Sequence, residues 1–236
     1  RTSPVTLVIG SGVSASAGLP IWNEFLKRVC GTFFYHWEDL IRLERRSRTQ
    51  PPKNLSVTGV DEEFWSETTK NNTKLLLQHD PVLIAQQIRN CIRNIDWFYL
   101  LRKCLYLNEY EELVDTSKSI LIENIAKLCA ESDNIYSLIN YNYDSTLEDY
   151  LSKYDVEFSK IYDEKRKAKK GTLRVFHPHG YLGLDGGSEN IILTESDYHL
   201  ESTMPYSWSN IVQTRFWCDS TCMFVGLSRT DPNLRR

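Results

Sequence analysis

Four short clusters in this chain hold the residue types that do chemistry: Gly10-Ser11-Gly12-Val13-Ser14-Ala15, Asn140-Tyr141-Asn142-Tyr143-Asp144, His177-Pro178-His179-Gly180, and Gly226-Leu227-Ser228 running on to Asp231-Pro232. The first matches a G-x-G-x-x-A turn, in which small residues let backbone amides approach a pyrophosphate. It lacks an acid about 20 residues on, at the end of a second strand, to hold an adenosine ribose. The second offers an amide and a carboxylate on alternate positions. The same residues also read as a turn at Asn142 and a helix cap at Asp144. The third sets two imidazoles around a proline, a proton-transfer group if exposed to substrate and a hydrogen-bonded structural residue if not. The fourth is either a hydroxyl with nearby amides for a phosphate or ribose, or a turn before a helix beginning at Pro232.

Each cluster follows an apolar run that reads as a strand: Val5 to Ile9, Ile135 to Ile139, Leu173 to Phe176 and Cys222 to Val225, with Ile191 to Leu193 as a further short strand. Trp22, Phe25, Leu26 and Val29 recur at helical spacing, and a helix through Leu147 and Leu151 follows Asp144. Strands interleaved with helices predict an α/β fold, a Rossmann-like, mainly parallel sheet flanked by helices. Ligands of such sheets bind beyond the carboxyl ends of the strands, which is where all four clusters fall.

Residues 31 to 131 differ in character. Trp37 to Leu43 fit a helix, Arg45 to Asn72 a long polar loop, and three helices follow: one from Asp80-Pro81 to Ile92, one over Trp97 to Leu107 and one over Thr116 to Ala130. The expected organisation is a single domain over 1–236, with a core of about 1–30 and 132–236 and a helical insertion of about 31–131. The missing initiator Met and the Asn-Leu-Arg-Arg ending predict a segment of a longer chain.

Of the 236 residues, 41% are hydrophobic, enough for one substantial core. Lys and Arg total 28 against 31 Asp and Glu, a net charge of -3, which gives no electrostatic case for nucleic acid or an anionic membrane as main partner. No apolar run reaches the roughly 20 residues of a membrane span, and the start does not resemble a signal peptide, so a cytoplasmic location is expected. The six cysteines sit mostly in apolar or helical patterns and read as reduced and structural.

Taken together, the four motifs, with Ala17-Gly18-Leu19-Pro20-x-Trp22 added to the first, resemble the sirtuin family in order and in position at strand ends. They look most like the sirtuin-like NAD-hydrolase domains of bacterial anti-phage defence proteins. The resemblance covers both ends of the chain and leaves 31–131 unexplained. It implies that Gly10, Ser11, Gly12, Val13 and Ser14 cradle the pyrophosphate and nearby ribose of NAD. Pro20 and Trp22 stand on the nucleotide side, although Trp22 also reads as core packing. Gly226 and Ser228 would contact the adenosine, Asp144 the nicotinamide carboxamide, and Asn142 the nicotinamide ribose and attacking water. His179 would be the general base and His177 a supporting residue, with Gly180 leaving room for NAD.

Protein-deacylating sirtuins carry two cysteine pairs in a zinc module, and this chain has none, so no zinc is expected. The resemblance therefore implies an NAD glycohydrolase with NAD as substrate, restrained by homo-oligomer formation, a further domain or a partner protein. The alternatives are an NAD-dependent deacylase or ADP-ribosyltransferase, and a module that senses NAD or ADP-ribose without turnover.

Overall fold

The computed structural model describes residues 3–33, 80–108, 110–184, 186–187 and 190–228. The expected helix from Trp37, the loop over Arg45 to Asn72 and the Asp231-Pro232 part of the last motif lie outside them. The chain divides into two compact units, Arg1–Ile21 with Asp115–Arg236, and Trp22–Val114.

In chain order the elements are β1 (Val5–Ile9), α1 (Ser11–Ala15), α2 (22–33), α3 (Pro81–Cys91), α4 (Asn94–Tyr106), α5 (Ile120–Glu131), β2 (Ile135–Asn140), α6 (Thr146–Lys153), β3 (Phe158–Ile161), β4 (Leu173–Phe176), β5 (Leu182–Gly183), β6 (Gly186–Gly187), α7 (Glu195–Thr203), α8 (Trp208–Asp219) and β7 (Thr221–Val225).

The first unit is built on a five-stranded sheet in the order β3-β4-β2-β1-β7. Every pairing within it is parallel. β1 lies between β2 and β7, and its Val-Thr-Leu-Val-Ile sequence suits a strand covered on both faces. Strand alternation sorts the core into two layers. Leu7, Ile9, Leu138 and Val175 join Ile122, Ile125 and Ala126 of α5 and Leu147 and Leu151 of α6. Val8, Ile139, Ile161 and Phe176 join Val212 and Phe216 of α8. On the second face, the Thr6 hydroxyl meets that of Ser137 at 2.8 Å, so the polar atoms of these buried strand positions satisfy each other.

Three details differ from expectation. The sequence reading assigned residues 116–130 to the insertion, whereas α5 belongs to the core of the sheet unit. Its apolar stripe covers the sheet, and its N-cap Ser119 accepts from Ile122 N. Ile191 to Leu193 is buried but forms no strand. The Ile192 amide donates to the His179 carbonyl, its own carbonyl accepts from Tyr143 Oη, and the Leu193 and Thr194 amides turn to the Asp197 carboxylate to start α7. Finally, β3 was not anticipated, nor were α7 and α8.

The second unit holds α2, α3 and α4. Asp80 caps α3 through a 2.9 Å bond from Val82 N, with Pro81 at the first helical position. Lys103 and Glu111 pair at 2.6 Å. All six cysteines are free. Among the described residues, no helix is long and apolar enough to cross a membrane.

Candidate functional site

Because the sheet is parallel, the exits of β1, β2, β4 and β7 open at one end of it, and hydrogen bonds tie the four together. From the β1 exit, Gly10 N donates to Val225 O at 3.0 Å and Gly12 N to Gly226 O at 2.9 Å. Gly226 adopts φ +67°, in the left-handed region where a side chain is strained. A Cβ on Gly10 would lie 2.6 Å from the Leu227 side chain and 2.7 Å from Gly226 O. These glycines are thus already required by the close approach of two loops within the chain.

Asn142, at the β2 exit, reaches back to the glycine loop. Its Nδ2 donates to Gly10 O at 3.0 Å and to Ser14 Oγ at 2.8 Å. Its amide N donates to the Asn140 side chain at 3.0 Å. With both Nδ2 hydrogens engaged, Oδ1 is the atom through which the carboxamide would accept from a hydroxyl or water. The turn expected at Asn142 is therefore a bridge between two strand exits.

Asp144 is 2% exposed and accepts from Thr146 N at 3.0 Å, an Asx turn leading into α6, whose N-cap is Ser145 and not the expected Asp144. The Ser14 hydroxyl also bonds its carboxylate. Gly10, Asn142, Ser14 and Asp144 thereby form one buried polar chain. Burial pushes the Asp144 carboxyl above its usual range, the charge of Glu148 adds to this, and the bonds from Ser14 and Thr146 oppose it.

The sign of the stability effect follows. With a folded pKa above the unfolded value of about 3.9, Asp144 contributes stability that is fully present below pH 3.9 and is lost as pH rises through the folded value. Asp144→Asn keeps an acceptor for Thr146 N and removes that loss. Urea unfolding is expected to show Asp144→Asn gaining on wild type as pH rises above about 4; a gap moving the other way contradicts the assignment.

The β4 exit is a tight turn in which Gly180 N donates to His177 O at 3.0 Å and Gly180 takes φ +91°. Glycine is needed there for the turn itself. His177 is fully buried, with Nε2 2.6 Å from Glu148 Oε1 and Nδ1 3.1 Å from the Asn142 carbonyl. His179 is 3% exposed, edge-on to Tyr141 at 4.8 Å and to Tyr198 of α7 at 5.9 Å. Tyr141 in turn donates to Gln213 of α8.

The structure therefore brings Gly10, Gly12, Ser14, Asn142, Asp144, and Gly226 into one bonded group. Val13 is buried beside Gly226, while Ser11 opens α1 and Ser228 is exposed beyond Gly226. Pro20 is buried in the first unit, whereas Trp22 begins α2 in the second. Glu148, Tyr198 and Gln213 were missed by sequence reasoning. The signal for Glu148 was its place three residues into the helix after Asp144, where a charged residue ought to face solvent.

Fold and site together define a Rossmann-like α/β protein with its polar groups gathered at the carboxyl end of a parallel sheet. A family model described as a SIR2-like domain matches residues 136–236, less than half of the chain. The match takes in the β2, β4 and β7 exits and leaves out the β1 glycine loop. No curated protein matches the chain. Among the described residues, no group of three or more His, Cys, Asp or Glu side chains is placed to hold a metal ion.

Proposed function

We propose that this chain cleaves NAD between nicotinamide and ribose, with water as acceptor. The observation that carries the reading is the junction of Asn142 with Ser14 and the Gly10 carbonyl, which ties a strand-exit amide to the glycine loop beside the His179 turn. The SIR2-like match over 136–236 supports an NAD-related function for the same end of the sheet.

Nicotinamide in oxidised NAD is already a cationic leaving group. The site must stabilise an oxocarbenium-like ribose and position a nucleophile, which calls for fixed polar groups rather than a strong acid. Asn142 Oδ1 would accept from the ribose hydroxyl or the water, His179 would take the proton, and Asp144 would hold the carboxamide. Gly10 to Ser14 would lie along the pyrophosphate, with Gly226 and Ser228 toward the adenosine. As an effector that depletes NAD in anti-phage defence, the protein would act under control by self-assembly or a partner.

A second reading, NAD or ADP-ribose sensing without turnover, is favoured by one observation. Asp144, Gly10 and Gly226 have structural duties that explain their residue types without chemistry. Chromatography after incubation with NAD separates the two. The hydrolase reading expects nicotinamide and ADP-ribose to accumulate together in equal amounts. NAD binding without nicotinamide release would leave the sensing module, and deacylation of an acylated peptide with nicotinamide release would move the assignment to a deacylase.

A further inference from the structure

Glu148 is a carboxylate in the wrong place for packing alone. It is 3% exposed on α6, where Leu147 and Leu151 show that apolar side chains fit. Its Oε1 lies 2.6 Å from His177 Nε2, and its Oε2 has no hydrogen-bond partner among the described residues. Replacing such a buried pair by apolar residues is often neutral or stabilising, so stability does not account for it.

The other side of the imidazole shows what the pair does. His177 Nδ1 faces the Asn142 carbonyl, which can only accept, so Nδ1 carries a hydrogen. On the far side of the ring, the 2.6 Å contact joins Nε2 to Oε1. Tyr181 packs edge-on to the ring at 5.1 Å and limits its rotation. The imidazole is thereby fixed in tautomer and plane, and its Nδ1–H holds the backbone of the residue whose side chain bridges to Gly10 and Ser14.

We infer that Glu148 and His177 are positioning residues that act as one unit, Glu148 fixing the ring and His177 fixing the Asn142 carbonyl, so that the Asn142 carboxamide keeps its aim. The kinetic part of this inference rests on the NAD-cleaving reading. A misplacement of about 1 Å at a reacting centre costs on the order of 100-fold in rate.

The test uses the full chain with Glu148→Gln, Glu148→Ala, His177→Ala and the Glu148→Ala/His177→Ala double variant. Gln donates to Nε2 and leaves Nδ1–H on the carbonyl, so Glu148→Gln should keep kcat within about 3-fold of wild type. Both single alanine variants should lose about 10- to 100-fold in kcat with KM changed by less than about 3-fold, and the double variant should be little worse than either. A folded Glu148→Ala protein with wild-type kcat, a Glu148→Gln protein as impaired as Glu148→Ala, or losses that multiply in the double variant would overturn the inference.

A readout without turnover separates this from the function itself. The His177 ring N–H signals, followed by NMR without NAD, should exchange slowly in wild type and Glu148→Gln and be lost in Glu148→Ala. Wild-type exchange as fast as that of exposed His199 would sink the pair. If wild type releases no nicotinamide, the NAD-cleaving reading falls and the ring-proton result alone decides the positioning role.

Discussion

His179→Ala should abolish nearly all nicotinamide release, lowering kcat by about 100- to 10,000-fold, the range usual for removal of a general acid or base. The side chain lies between Tyr141 and Tyr198, so truncation leaves a gap flanked by two rings. A loss of about 1–3 kcal/mol in stability should accompany it. Rate and stability must therefore be read separately, with NAD binding measured calorimetrically on protein shown to be folded. Binding retained with turnover lost would place His179 in the chemical step. Turnover retained would remove it from the mechanism and leave the imidazole as packing between two tyrosines.

The largest effect on stability is expected at Gly226. Its φ of +67° is costly for any side chain, and a Cβ there would sit 2.6 Å from Val13 N and 3.0 Å from Gly12 C. The nearest obstacle is backbone, which cannot rotate aside as a flexible side chain would. Strain and overpacking together put Gly226→Ala at about 2–4 kcal/mol of destabilisation. Urea unfolding measures it directly. Because Gly226 O also receives the Gly12 amide, the damage should extend to the glycine loop. NAD affinity should consequently fall in whatever fraction stays folded. A Gly226→Ala protein of wild-type stability would mean that the β1 and β7 exits approach each other less closely than described.

The elements legible in the sequence were those whose apolar residues follow one period. β1, β2, β4 and β7 were each a short, mostly apolar run, and α3 announced itself with Asp80-Pro81. α8 was not legible because its buried stripe is Ser209, Val212, Gln213 and Phe216, two of them polar. Those two are buried for their bonds: Ser209 donates to Glu201, and Gln213 accepts from Tyr141. A hydrophobic period cannot register a face held by hydrogen bonds. α7 was missed although Thr194 and Asp197 form a capping box, a signal that was present and not used. β3 was hidden because Ser159 and Lys160 stand side by side between Phe158 and Ile161, so its four residues show no apolar alternation.

The site was legible as a list of strand exits and illegible as a network. Spacing could place Asn142 and Ser14 at the ends of neighbouring strands, but not show that one side chain bonds the other across 128 residues of chain. Nor could it separate the two histidines by environment. That needed Glu148, whose charge argues for a solvated face until its partner is seen.

The pairing of β1 bears on how the molecule is made. Its Thr6 meets Ser137 across a sequence separation of 131 and Ser220 across 214. β1 is thus synthesised before both of the strands that pair with it. Two large loops must close before Val5–Ile9 is covered on both edges, an entropic delay that makes folding of this sheet slow by topology alone. Until then the nascent chain carries an uncovered aliphatic strand, the kind of segment that associates with other chains. The yield of folded protein should therefore depend on how soon β2 and β7 cover that strand.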